Sequence, residues 1–138
     1  MTTRMSVYCS LEIASALVEV IDTSVLNNIV SLIKKASDIV SNKLTDRQKA
    51  ICHRRVLNLS YPNGNGFIML AMALELLSYA TVTIKEGGNE KDKKALKLIN
   101  LSRGKIVNYL VDLDEEIYNE GVHYANELLR RLVCLVLN

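Results

Sequence analysis

Tryptophan is absent, and phenylalanine and proline each occur once in 138 residues, with glycine six times. So few turn-formers argue against a turn-rich β sandwich and leave long helices unobstructed. A large charge of one sign is missing as well. The net charge of +2 is too near balance to demand nucleic acid or a membrane surface as partner. Catalytic signals are sparse: there are two histidines and no GxSxG, HExxH, P-loop or GxGxxG stretch. Cys9, Cys52 and Cys134 lie far apart with no CxxC or Cys/His spacing, so neither a metal nor a cofactor is expected. An odd, scattered set reads as reduced, buried thiols of an intracellular protein. Glu12 and Glu19 interrupt the apolar stretch that a secretory leader would need.

What is present is enough apolar material, 49% of residues against 23% charged, for one domain spanning 1–138 with a real core. Periodicity of 3.6 residues marks five or six helices. Residues 10–21 form a first one, with Ser10 as its cap, and Asp22-Thr-Ser ends it. Residues 25–43 carry Ile29, Ile33, Ala36, Val40 and Leu44 on one stripe. Thr45 caps a third helix over 46–58, basic on its outer side. Tyr61-Pro-Asn-Gly-Asn-Gly is the strongest break, because Pro and two Gly cannot continue a helix.

Phe67 to Ile84 then runs for eighteen residues with Glu75 as the single charge. A helix apolar all round belongs in the middle of a bundle or in a membrane. A carboxylate at its centre would cost about 2.5–3.5 kcal/mol or more in hydrocarbon, so a buried helix over 67–83 is the reading preferred. Residues 85–94 read as a solvated loop. Helices over 95–113 and 122–137 close the chain, separated by the acidic turn around Asp114-Glu-Glu. The apolar run Leu132 to Leu137 is far short of the roughly 20 residues that span a bilayer, so no intrinsic membrane anchor is expected.

Two chemical motifs are weak. Asn63-Gly-Asn-Gly lacks the Lys and Ser/Thr of a phosphate-cradling loop. Arg47 and His53 match the Arg-x5-His spacing of some helical ribonucleases, but such a pair arises easily by chance on a basic helix.

The second helix is more informative. Ile29, Ile33, Ala36 and Val40 are spaced i, i+4, i+7 and i+11, with Ser37-Asp38 between the last two. This resembles a BH3 segment. After it come a helix, a Gly-rich break and the most apolar helix, as in the Bcl-2 family. There the BH1 motif reads Asn-Trp-Gly-Arg; here Gly64-Asn65-Gly66-Phe67 keeps the Gly and lacks the Trp and the Arg. Near the end, Asn108-Tyr-Leu-Val-Asp-Leu-Asp-Glu-Glu-Ile-Tyr-Asn-Glu-Gly resembles the BH2 region: an acidic turn, an apolar anchor at Ile117 or Tyr118, a Gly corner and a short last helix. The three likenesses span residues 29–129 in family order. They are most similar to divergent viral Bcl-2 homologues, the iridovirus type included.

The resemblance implies an all-α, Bcl-2-like bundle and a non-enzymatic apoptosis inhibitor engaged in host–virus interaction. Its groove would sequester the BH3 helix of a pro-apoptotic Bcl-2 protein, Bim-like, through i, i+3/i+4, i+7 anchors. Val40, Leu44, Val56, Leu57, Leu70 and Leu74 are the expected lining, with Asn65, Gly66 and Phe67 at the central edge. Gly66, lacking Cβ, would let a partner backbone approach. Because the missing BH1 Arg pairs in the family with the BH3 Asp, binding would be selective for few partners, with Asn65, Arg54 or Arg55 as substitute contacts. A homodimer fits an exposed aliphatic groove. The implied location is the host cytoplasm, peripheral to mitochondria through partners. Other readings are a Bcl-2-fold viral modulator of different host signalling, a helical nucleic-acid-associated subunit using Lys43, Arg47, Lys49, Arg54 and Arg55, and the ribonuclease.

Overall fold

The structure, a computed structural model, describes residues 3–21, 26–57, 65–85 and 89–136, with the side chains of all but Lys85 and residues 133–136. The Asp22-Thr-Ser stop and residues 61–64 of the Tyr61–Gly66 break lie outside this description, as do Leu137 and the side chains of residues 133–136, Cys134 included. Six helices and no strand occur among the described residues: α1 Thr3–Val20, α2 Asn27–Ser41, α3 Asp46–Leu57, α4 Gly66–Lys85, α5 Glu90–Tyr109 and α6 Glu115–Val136. The all-α expectation is met, with one strongly apolar helix, α4.

The first helix begins at Thr3, seven residues earlier than its apolar stripe suggests, and Ser10 is not its cap. Ser10 is buried mid-helix and its hydroxyl donates to the Ser6 carbonyl one turn back, at 2.8 Å. Ser6 in turn donates to the Thr3 carbonyl (2.7 Å) and meets the Tyr79 hydroxyl of α4 at 2.8 Å. Hydroxyls satisfied in this way let serine sit in a helix core at little desolvation cost. Twelve of the eighteen residues of α1 are buried.

That makes α1, rather than α4, the most uniformly buried helix. It packs against α2, α3, α4 and α6, whereas α4 packs against α1, α5 and α6 and leaves Val82 and Phe67 exposed. By length and composition α4 could cross a membrane, but Leu70, Leu74, Leu76 and Leu77 lie inside the bundle. Glu75 is tolerated because it is only half-buried and lies beside the Tyr118 hydroxyl of α6. Burial, and then this carboxylate, push the Tyr118 phenol above its ordinary range.

The predicted stripe of α2 is buried throughout: Ile29, Ile33, Ala36, Val40 and Leu44 are all at most 8% exposed. Thr45 caps α3 as expected, in a reciprocal box. Its hydroxyl accepts from Gln48 N (3.1 Å) and Gln48 Oε1 accepts from Thr45 N (2.9 Å). The supposed solvated loop ends early. Asn89 accepts from Asp92 N at 2.8 Å and starts α5 at Glu90, and Glu90 and Asp92 suit the positive end of the helix dipole. Asp92 is itself buried, where Arg4 of α1 meets it with both terminal nitrogens (3.0 and 3.3 Å) and also donates to the Val40 carbonyl (3.3 Å).

The BH2-like corner at Gly121 is a second correction. The last helix starts at Glu115, capped by Asp114 Oδ1 on Glu116 N (2.9 Å), and runs through Gly121 without a bend or a short terminal helix. Gly121 is where α6 lies against α4: a Cβ there would come 2.5 Å from Ala71 Cβ and 2.8 Å from the Ile68 carbonyl.

Tyr8 joins α1 to α3 through a 2.7 Å bond between its hydroxyl and His53 Nε2. Burial, with the Glu12 carboxylate as a smaller cause, pushes its phenol from 10.0 up to about 12. Unfolding restores the ordinary value, so the neutral phenol's stabilisation is complete below about pH 10 and is lost as pH rises from there towards 12. Urea midpoints measured across that window should fall more steeply for the wild type than for Tyr8→Phe. Parallel decline of the two would contradict the assignment.

Candidate functional site

Four helix ends meet around an apolar cavity of about 480 Å³. Ile21 comes from the end of α1, Leu26 from just before α2, and Asn65, Gly66, Phe67 and Leu70 from the start of α4. Tyr109 closes the cavity from the last turn of α5. Leu26 and Leu70 form a buried floor, 1% and 2% exposed, while Phe67 (46%) and Tyr109 (39%) stand at the rim. Aromatic rings beside an aliphatic floor can take up an apolar side chain from a partner. The volume falls within the usual range of ligand pockets, roughly 300–1,000 Å³. It has room for side chains presented by a turn or two of helix, not for a whole helix.

The α4 start is built locally. Asn65 Oδ1 accepts from Phe67 N at 2.9 Å, capping the helix, and among the described residues its amide NH2 has no partner. Gly66 is not forced by crowding, since a Cβ there would meet only the Ile21 side chain at an ordinary 3.7 Å. None of the seven residues around the cavity carries a charge.

The expected groove residues are therefore divided. Asn65, Gly66, Phe67 and Leu70 come together at the cavity. Leu44 and Leu74 are buried in the core and Val56 is partly buried, while Leu57, at the end of α3, is 83% exposed. Val40 lines a different cavity of about 300 Å³, beside Arg4, Val7, Ile84 and Asp92. Ile21, Leu26 and Tyr109 were missed as lining, although Ile21 belongs to the first apolar stripe and Tyr109 to the quoted Asn108-Tyr-Leu run.

The BH3-like segment serves the chain's own core. Ile29, Ile33, Ala36, Ser37 and Val40 are buried, Ser37 donates to Glu12 Oε1 at 2.7 Å, and Asp38 faces solvent. On α3, Arg47 and Arg54 are exposed, and Lys49 and Arg55 partly so, as on a solvated face. Arg47 and His53 diverge. Six residues advance a helix by about 600°, which leaves them about 120° apart around the axis, and Nε2 of His53 is already bonded to Tyr8. Among the described residues no cluster of three His, Cys, Asp or Glu side chains could hold a metal ion.

No family model, no curated protein and no solved structure matches this chain.

Proposed function

We propose that the chain is a helix-binding module of Bcl-2 type, an apoptosis inhibitor that sequesters BH3 helices with narrow partner selectivity. One observation carries the reading. The open apolar cavity lies at the start of the most apolar helix, where the resemblance places the central edge of a BH3 groove. An amphipathic helix would lodge one or two of its apolar anchors between Phe67 and Tyr109 and lay its remaining length over the rim. With no charged residue among the described lining, the ligand's Asp would remain in water or reach the Asn65 amide. Affinity would then rest on apolar contacts, which favours the few peptides with the best-fitting anchors.

The test is calorimetric. Replacing the conserved Asp of a bound BH3 peptide by Ala should cost much less than the about 3–5 kcal/mol of a broken buried pair. Replacing its central Leu by Ala should cost about 2–5 kcal/mol, as for a truncated buried aliphatic. Phe67→Arg should raise the Asp's contribution and widen the set of peptides bound. Strong Asp dependence in the wild type would refute the charge-free pocket as the anchor site and turn attention to Arg54 and Arg55.

A further inference from the structure

Cys9 and Cys52 are far apart in sequence and adjacent in the fold. Both are free, both are 0% exposed, and their thiols lie beside each other. Cys52 Sγ also lies 3.6 Å from the carbonyl of Met5, one helical turn before Cys9. Tyr8 and His53, the neighbours of this pair on the two helices, are bonded at 2.7 Å with ring centroids 5.7 Å apart. Two successive pairs thus fix one register between α1 and α3.

The helix carrying Cys52, α3, is the least buried of the six among the described residues. Cys52 is the one buried residue of α3, and the helix packs chiefly on α1. A helix with so little buried surface opens locally at low free energy. Opening exposes both thiols, and closing returns the sulfurs to contact.

We propose that Cys9 and Cys52 are a redox modification site, forming a reversible internal disulfide that fastens α3 to α1, with a small organic disulfide as oxidant. When α3 lifts, Cys52 as thiolate attacks one sulfur of R–S–S–R. A mixed disulfide Cys52–S–S–R forms, and R–S⁻ leaves and takes up the proton that Cys52 lost. As α3 swings back, Cys9 as thiolate attacks the Cys52 sulfur and expels the second R–S⁻, which takes the Cys9 proton. Two protein thiols are oxidised and one R–S–S–R is reduced to two R–SH. Cys52 sits on the helix that lifts, which makes it the first nucleophile. The bond closes a loop across 43 positions, from 9 to 52, and so constrains the unfolded chain.

The experiment uses the full chain, as wild type and as Cys134→Ser, incubated with oxidised glutathione. Remaining thiols are then alkylated in denaturant, and the protein is digested with trypsin without reductant. The expected result is a peptide of residues 5–34 joined to one of residues 50–54 within monomeric chains. The intact mass should fall by about 2 Da, and Tm should rise by about 10 °C, reversed by dithiothreitol. Full alkylation of Cys9 and Cys52, a glutathione adduct that never resolves, linkage between chains, or an unchanged Tm would each overturn the proposal.

Discussion

Arg4→Ala should destabilise the protein by about 3–5 kcal/mol, because it strands the Asp92 carboxylate in the core. Asp92 is 4% exposed, and Arg4 supplies both of the bonds its oxygens make to α1. The same guanidinium holds the Val40 carbonyl, so one side chain ties α1 to both α2 and α5. Lys34→Ala is the control. Its bridge to Glu19 is longer, 3.6 Å, with both side chains more than half exposed. Exposed pairs of that kind contribute about 0–1 kcal/mol. Urea unfolding of the two variants should separate them clearly. Equal, small effects would mean that Asp92 finds water or another donor when Arg4 is removed.

A second large effect is expected from one substitution made at two sites. Gly121→Ala puts a Cβ 2.5 Å from Ala71 Cβ and 2.8 Å from the Ile68 carbonyl, and a backbone oxygen cannot step aside. Overpacking of this kind costs about 1–3 kcal/mol, occasionally more. The gain in helix propensity from Gly to Ala, about 0.5–1 kcal/mol, works against it and is too small to win. Gly104→Ala has nothing within 4 Å of the new methyl, so there the propensity term acts alone. That variant should be more stable than the wild type by about 0.5–1 kcal/mol. Thermal melts of the pair should therefore move in opposite directions. A stabilised Gly121→Ala would mean that α4 and α6 are not in close backbone contact.

The two sites also show what a sequence conveys and what it hides. Both glycines interrupt a helical pattern in the same way, and only the neighbouring helix tells a tight crossing from open solvent. The α2 stripe and the Thr45 cap were readable because their signals are local: a 3.6-residue period and a hydroxyl residue just ahead of a helical run. The start of α1 was not, because Ser10 imitates a cap when its carbonyl partner is unseen. Asp92 reads as one of many charges in a Lys-rich stretch, and its partner Arg4 is 88 positions away. The contact of Cys9 with Cys52 was hidden for the same reason.

The candidate site divides along the same line. Phe67 and its neighbours stand out beside a glycine break followed by a long apolar run. Ile21, Leu26 and Tyr109 join them only because the ends of α1 and α5 meet the beginnings of α2 and α4. Val40 and Leu44, as apolar on paper as Leu70, are spent on packing. Periodicity identifies which residues are apolar on one face, and topology decides whether that face is core or rim.

The most direct test of the helix-binding account is calorimetric titration of a panel of BH3 peptides into the wild-type chain and into Phe67→Asp. Phe67 is nearly half exposed, so its replacement should leave the bundle folded, as circular dichroism would verify. The account predicts at least one peptide that binds the wild type at one to one, loses its affinity to Phe67→Asp, and competes with the remaining binders. No measurable heat from any peptide, or equal affinity for the two proteins, would contradict it.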